Sequence, residues 1–544
     1  MKGLSEKEWI LLSHHIRPNE ELCNKLGYTK AQLLLNRGVS SDELLRGKLK
    51  SLVPPFDLPN IQRAVDLITD HVLRGKRIII FGDYDVDGIT GTAILFDLLK
   101  KAKAKVLPVL PSRKRGYGLT RELVLKLNNY ADLLITVDNG TTAIEELSLT
   151  TIPTIILDHH NPGESLPNSL VVNPKLISRE KWDLRDLSSA GLAFYLSILL
   201  RKHLELDIDV RNYLHFACLG TVADVMPMNP TNRLIVSKGM ELLNYVLRGF
   251  GPFPGLRLLM ERAGVRGEIT SRDIAFSIAP RLNAPGRVAK PYVALKLLLE
   301  DKEERARLLI ERVDKLNERR RQLSQKAFEE ALLQAEAQKE KYLILVKLQQ
   351  DMGGVAGIVA GKLANHYCKP AVVMAVGRDY TTASVRGDFG MDVYSALKKA
   401  SHLFVKWGGH SSAVGFTIKT DKLKEFEGIA KDIFKDVQIG DRRLYIDMGL
   451  PLSIINEEIY GVLRDLEPFG EGFPEPVFMS EPLDMSPLDG DRDRLRLKAG
   501  DFYLLSWDPA INNKLLMAEK KTRRVVYQID RKRSRCLSLV DVEE

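Results

Sequence analysis

Apolar positions between residues 61 and 160 change period several times. In "IQRAVDLITDHVLRG" they recur every three to four residues, which predicts an amphipathic helix ended by Gly75. "RIIIF" is apolar throughout and too short for a helix, so it reads as a buried strand. "GTAILFDLLKKA" and "LVLKLNNY" read as helices, "DLLITV" as a strand, "TAIEELSL" as a helix and "PTIIL" as a strand. Strand–helix alternation with uniformly apolar strands predicts a parallel α/β sheet covered on both faces.

Outside that stretch the pattern changes. The first 50 residues are mixed, polar and helical in character, and "LVPPFDLPN" (52–60) predicts an extended linker, because Pro54, Pro55 and Pro59 oppose helix. "YLHFACLGTVADVM" (213–226) predicts a helix that delivers Asp224. Residues 303–338 form a long charged helix with Leu309, Val313, Leu316, Leu323 and Ala327 on one stripe. Sustained heptads are lacking, so it reads as a connector. "YLILVKL", "GGVAGIVAGKLANHY" and "PAVVMAV" form a second α/β pattern, and from about 440 short strand-like pieces rich in Pro, Gly and Asp predict a small β domain.

Composition narrows the partners. At about 150 residues per domain, 544 residues suggest three or four domains. A net charge of +9 leans toward an anionic partner, most simply nucleic acid. Cys23, Cys218, Cys368 and Cys536 are far apart, which argues against a disulfide framework or zinc knuckle and fits a reducing cytoplasm. No run of about 18 apolar residues and no leader-like opening stretch occurs, so a soluble intracellular protein is expected.

Three predicted strands end in acidic groups: Asp83, Asp85 and Asp87 follow the first, Asp138 the second, and Asp158, His159 and His160 the third. Ligands of open parallel sheets gather at the carboxyl ends of strands, so these groups converge, with Asp224 as a further contributor. Carboxylates with one or two imidazoles suit Mn²⁺ or Mg²⁺, and the set has room for two ions that clamp a phosphoryl group. An EF-hand is excluded: with Asp83 at position 1 of the loop, Ile94 falls where a bidentate Glu is required. "GIVAGKL" is not a phosphate loop, since Gly357 and Gly361 are one residue too close and Leu363 stands where Ser or Thr is needed.

"GDYDVDG", "VDNG", "LDHH" and "GTVADVMP" match, in order, the motifs of the DHH phosphoesterase family, and the chain resembles its 5′→3′ single-strand-specific DNA exonucleases. "NRGV", "PSRKRGYGL", "IAPRLNAPGR", "ASVRG" and "WGGHSSAVGF" extend the resemblance over about residues 30–480. It implies an α/β multidomain fold: an N-terminal helical segment (1–50), a parallel-sheet DHH domain (51–235), a helical connector with a long helix (236–340), an α/β DHH-associated domain facing the DHH domain across a cleft (341–437), and an OB-like domain (438–544). It implies Asp85, Asp87, Asp138, His159 and Asp224 as metal ligands, with Asp83 a ligand or directly behind one. His160 is expected on the scissile phosphate and Asp158 orients the site.

The basic segments complete the expectation. Guanidinium forks bind phosphate bidentately, and Arg113, Arg281, Arg287 and Arg386 sit beside residues that permit close backbone approach. Arg113, Ser384 and Arg386 are expected on a 5′-phosphate, Tyr117 on a base, and Asn283, Gly408, Gly409 and His410 along the substrate. The tail "KKTRRVVYQIDRKRSR" is either a grip on single-stranded backbone or a solvated terminus. Ser189, Pro285 and Phe473 stand where such relatives usually carry Gly, Ala and Asn; none is a proposed ligand. The expected function is two-metal hydrolysis of single-stranded DNA to 5′-mononucleotides by a monomer in recombination and repair, with a helicase and a single-strand-binding protein as partners. The rivals are a phosphodiesterase acting on short RNA or cyclic dinucleotides, and a non-catalytic replication scaffold.

Overall fold

The computed structural model describes all residues except 46, 112–117, 179–181, 388–389, 438–441, 492–493 and 518–521. The chain divides into two compact units. One comprises Met1–Pro285, Lys290–Val313 and Leu444–Glu544, the other Gly286–Ala289 and Asp314–Arg443. No helix among the described residues is long and apolar enough to cross a membrane.

The first unit is organised by a five-stranded parallel sheet. In chain order it runs α1 (Ile61–Leu73), β1 (Arg77–Gly82), α2 (Val86–Lys101), β2 (Lys105–Val109), α3 (Arg121–Tyr130), β3 (Leu133–Val137), β4 (Thr154–Leu157) and β5 (Leu170–Val172), then α4 (Ser189–His203), α5 (Leu214–Ala223) and α6 (Pro230–Leu247). The strand order is β2-β1-β3-β4-β5, with all four pairings parallel. β3 is buried at every position and β1 at every position after Arg77, as the unbroken apolar runs require. The chain leaves β1 toward β2 and returns at β3 on its other side. The crevice beyond β1 and β3 is therefore a topological switch point.

The C-terminal part of this unit is a seven-stranded mixed sheet. Its strands are β11 (Met448–Gly449), β12 (Phe478–Met479), β13 (Ser486–Gly490), β14 (Leu495–Ala499), β15 (Phe502–Ser506), β16 (Val525–Ile529) and β17 (Cys536–Val542), in the order β11-β12-β16-β17-β15-β14-β13. These numbers follow the second unit's strands: β6 (Ile344–Gln349), β7 (Ala371–Val376), β8 (Tyr380–Arg386), β9 (Phe404–His410) and β10 (Ala413–Lys419), arranged β9-β10-β8-β7-β6. Helix Ala356–Tyr367 joins β6 to β7, as the second α/β pattern predicts.

Several expectations need correction. The opening segment is not only helical: Glu8–Leu11 is a strand, and Trp9 Nε1 donates to Asp541 Oδ2 at 2.9 Å. The linker contains a 3-10 turn at Pro55–Asp57, since proline fits the first position of a helical turn. "TAIEELSL" yields a single turn, Ile144–Leu147. The basic tail is not simply a solvated end. β16 is an interior strand, Arg531 pairs with Glu467 with both side chains about nine-tenths covered, and Lys532 meets Asp273 at 2.5 Å. The long helix, Glu303–Glu336, buries Ala306, Ile310, Val313, Asn317, Ser324, Ala327 and Ala331. Those positions lie three, four or seven residues apart on one face, and five of the seven are small or polar, so hydropathy alone marks the face poorly.

Candidate metal centre

The site grows out of how α2 begins. Asp85 caps the helix: its Oδ1 accepts the Gly88 N–H at 3.1 Å. Gly88 lets the first turn fold against the end of β1, because a Cβ there would lie 2.6 Å from the Asp83 backbone nitrogen. The N–H of Val86, between Asp85 and Asp87, donates to Asn283 Oδ1 at 3.1 Å. One turn of chain thus presents Asp83, Asp85 and Asp87 on one rim.

Asp87 points at the N-terminus of α4. Its Oδ2 accepts the Ser189 N–H at 2.7 Å and its Oδ1 the Ala190 N–H at 2.9 Å. The positive end of the helix dipole offsets part of the carboxylate's burial. α5 packs close behind, where a Cβ on Gly220 would sit 2.5 Å from Asp87 Oδ1. Asp138 ends β3 in a left-handed conformation (φ +65), which Asp adopts more readily than bulkier residues, and it accepts from Ser189 Oγ at 3.2 Å.

β4 delivers the histidines. Asp158 is buried beneath them. Its Oδ1 accepts the N–H groups of His159 (2.9 Å) and His160 (3.2 Å) and lies 2.7 Å from His160 Nδ1; its Oδ2 accepts the Thr141 N–H at 2.9 Å. This places a proton on His160 Nδ1. His159 Nε2 lies 3.2 Å from both Asp138 Oδ1 and Asp224 Oδ2. Asp224 arrives from the end of α5, where it is the C-cap.

Three sets can each gather one ligand atom per residue within 4.8 Å: Asp83, Asp85 and Asp138; Asp87, His159 and Asp224; Asp138, His159 and His160. The charges strain against one another. Burial, countered in part by the Ala190 N–H and aggravated by Asp85, pushes Asp87 up to about 6. Burial and then Asp85, Asp87, Asp224 and Asp83 hold Asp138 well above the carboxylate range, and burial with Asp87 and Asp85 does the same to Asp224. Burial opposes ionisation of Asp158, but the two histidines and its hydrogen bonds prevail and hold it below its ordinary range. Burial would lower His160, yet Asp158 carries it up to about 9. Crowded, buried oxygen donors with imidazole at the edge fit hard divalent cations such as Mn²⁺ or Mg²⁺.

The remaining expected residues are dispersed. Arg113 and Tyr117 lie outside the described residues. Arg281 donates to the carbonyls of Ser277 (2.8 Å) and Arg262 (3.1 Å). Arg287, in the second unit, donates to the Gly354 carbonyl at 3.3 Å. In the same unit Arg386 Nη1 donates to Ser384 Oγ at 3.0 Å, and a Cβ on Gly357 would come within 3.0 Å of both side chains. Gly408, Gly409 and His410 end the edge strand β9, with His410 exposed. Two residues outside the expected set also touch the site. Ser189 reaches Asp138, and Asn173 Nδ2 donates to Thr141 Oγ1 (3.0 Å) and the His160 carbonyl (2.9 Å). "LSSAG" carried a signal, since a Ser pair opening a helix offers N–H donors to an anion.

Comparison with known proteins follows the same lines. Residues 77–221 match the model of the DHH family N-terminal domain, 340–436 the DHHA1 domain and 446–535 the RecJ OB domain. The single-stranded-DNA-specific exonuclease RecJ of Escherichia coli is 32% identical over 478 residues, covering 82% of each chain. That of Thermus thermophilus is 33% identical over 438 residues, 79% of this chain; the match spans 63% of that longer relative. The crystal structure of the Thermus thermophilus RecJ in complex with Mn²⁺ superposes with a TM-score of 0.84 at 29% identity, over 99% of this chain and 79% of that one. Its complex with Mg²⁺ gives 0.79 at 27% identity, over 99% and 78%.

Proposed function

Because the chain belongs to the RecJ family of single-stranded-DNA-specific exonucleases, we propose that it hydrolyses single-stranded DNA from the 5′ end to 5′-mononucleotides. The observation that carries this reading is the convergence of Asp83, Asp85, Asp87, Asp138, His159 and His160 at the ends of three parallel strands with Asp224 at the end of α5. Asp85, Asp87, Asp138, His159 and Asp224 would hold two Mn²⁺ or Mg²⁺ ions, with Asp83 adjoining. When bound there, the ions supply Lewis-acid polarisation of the phosphoryl group and a more acidic water.

The chain's own groups do the rest. A water oxygen bonds to phosphorus as the P–O3′ bond breaks; one water proton ends on O3′, so the departing nucleotide leaves with its 5′-phosphate and a 3′-hydroxyl, and the water oxygen stays on the new 5′-phosphate of the shortened strand. Asp158 fixes the His160 ring through Nδ1, so that Nε2 presents a positive N–H to a phosphoryl oxygen. The Ser189 and Ala190 N–H groups keep Asp87 aimed into the site. In the second unit, Ser384 and Arg386 beside Gly357 form a phosphate-binding corner at the start of helix Ala356–Tyr367. Arg113, Tyr117, Arg281, Asn283, Arg287 and the Gly408–Gly409–His410 stretch are assigned to the DNA track. The setting is cytoplasmic recombination and repair, with a helicase and a single-strand-binding protein as partners of a monomer. The complete carboxylate and histidine set leaves the scaffold alternative without support, and the RecJ OB match weighs against a short-substrate enzyme.

The test is digestion of an oligonucleotide labelled at either end, with Mn²⁺, with chelator, and with Asp138→Asn. Mononucleotide release from the 5′ label, abolished by chelator and by the substitution, is expected. Intact long DNA with turnover of dinucleotides alone overturns the reading.

A further inference from the structure

Among the proposed ligands, Asp224 is the least anchored locally. Asp87 and Asp138 are buried and held by the N-terminus of α4. The Asp224 side chain is 34% exposed and sits where α5 gives way to a turn. The next residue, Val225, has a left-handed backbone (φ +54) although its side chain is β-branched. The end of α5 closes this turn itself, with the Val225 N–H on the Val222 carbonyl (3.2 Å) and the Met226 N–H on the Thr221 carbonyl (3.1 Å), although the left-handed position of such a turn is usually glycine.

The C-terminal domain adds a second restraint beyond this local one, through residues 466–476. The Glu471 carbonyl accepts the Met228 N–H at 2.8 Å, so the turn after Asp224 is tied to this segment directly. Arg233, in the first turns of α6, is buried, and its guanidinium donates to the carbonyls of Pro468 (2.8 Å), Leu466 (2.7 Å) and Glu467 (2.7 Å). Asn232 Nδ2 donates to the Pro227 carbonyl at 2.9 Å. Phe473 sits at the centre of the arrangement, 2% exposed. Its ring centroid lies 4.3 Å from Arg233 Cζ and 5.5 Å from Arg37 Cζ. Arg37 grips Asp447 with both nitrogens (2.8 and 3.2 Å) and also donates to the Pro474 carbonyl.

We propose that the 466–476 segment, with Phe473 at its centre, is a positioning element for Asp224: it holds the 225–229 turn and thereby fixes the carboxylate 3.2 Å from His159 Nε2. The proposal rests on the reading of Asp224 as a metal ligand. It gives the C-terminal domain a second task beside any contact with DNA, which is completion of the metal centre. It also accounts for Phe473, whose ring fills a site between two guanidinium groups that a smaller side chain leaves open.

The experiment compares the full chain with Phe473→Ala, the milder Phe473→Leu, and the conservative Phe473→Tyr. Mn²⁺ affinity is read from the electron paramagnetic resonance of free Mn²⁺, below each variant's melting temperature, together with kcat and KM on single-stranded DNA. Loss of a group that orients a ligand typically weakens metal binding by about tenfold or more. Phe473→Leu and Phe473→Ala are expected to weaken Mn²⁺ binding in that order and to lower kcat with KM unchanged, and Phe473→Tyr to retain both. Wild-type Mn²⁺ affinity in a folded Phe473→Leu or Phe473→Ala, or a rise in KM alone, overturns the proposal. A wild-type chain that binds Mn²⁺ but cuts no DNA sinks the nuclease reading, and the Mn²⁺ comparison still decides the positioning role.

Discussion

Asp158→Asn isolates the carboxylate that organises the histidine pair. Asp158 accepts four N–H groups with two oxygens, three of them on Oδ1. Asparagine keeps one acceptor. Its least damaging orientation puts the amide nitrogen against the Thr141 N–H and leaves that buried donor unmade, which costs about 1–3 kcal/mol. The second loss is the ion pair with His160. Raising an imidazole from 6.5 to about 9 corresponds to roughly 3 kcal/mol at 1.36 kcal/mol per unit. The His160 side chain is a third exposed, so solvent screening trims this to about 2 kcal/mol. The variant should therefore be less stable by about 3–5 kcal/mol in metal-free protein at neutral pH.

The pH dependence has a definite sign. His160 is raised, so its contribution is complete below 6.5 and disappears as pH climbs through about 9. Asp158 is lowered, so its contribution is present above the ordinary 3.8 and lost as acid protonates it. The stability gap between wild type and variant should be widest between those limits and close toward both ends. Denaturant unfolding in chelator measures the gap, and ring-proton NMR follows His160. The His160 midpoint should drop from about 9 toward or below its ordinary value, because burial then acts against fewer opposing charges. An unchanged His160 titration in the variant would refute the reasoning.

Other perturbations test separate parts of the site. Asp138→Asn relieves a carboxylate held well above 3.8, which loses stability as pH rises from about 4 because the folded state keeps its proton longer. Metal-free Asp138→Asn should thus melt above wild type near pH 8, while added Mn²⁺ raises the melting temperature of wild type alone. Gly220→Ala drives a methyl to 2.5 Å from Asp87 Oδ1 and 2.6 Å from Ala190 Cβ. It should destabilise by about 1–3 kcal/mol and weaken Mn²⁺ binding, as read by denaturant midpoints and calorimetry. Arg531→Ala breaks a buried pair with Glu467 beneath Phe469, and a loss of about 3–5 kcal/mol is expected with little change in the salt slope of DNA binding. A markedly flatter slope would show that Arg531 itself contacts DNA.

The legibility of this chain follows from the range over which each signal acts. "RIIIF", "DLLITV" and "PTIIL" were readable because a strand covered on both faces must be apolar at every position. The acidic residues were readable because each follows such a strand at once, and parallel topology turns that adjacency into proximity. What escaped depends on partners hundreds of positions away. Trp9 becomes part of a strand segment tied to Asp541, 532 residues on, and no local pattern encodes that. The tail's basic residues looked like a nucleic-acid patch because their acidic partners, Glu467, Asp273 and Glu543, are scattered through the sequence.

Ser189 and Phe473 show the same limit within the site itself. Both depart from the residue usual at their positions, and neither is a proposed ligand. In the fold Ser189 hydrogen-bonds Asp138, and Phe473 sits against Arg233, whose guanidinium binds the backbone beside the turn that follows Asp224. A motif displays the groups that touch a cation, since chemistry fixes their type. The groups that aim those ligands are fixed only by geometry, and many side chains can meet a geometric demand. A residue unusual for its position is therefore best judged by what it touches in the folded chain, and here both such residues lead back to the metal centre.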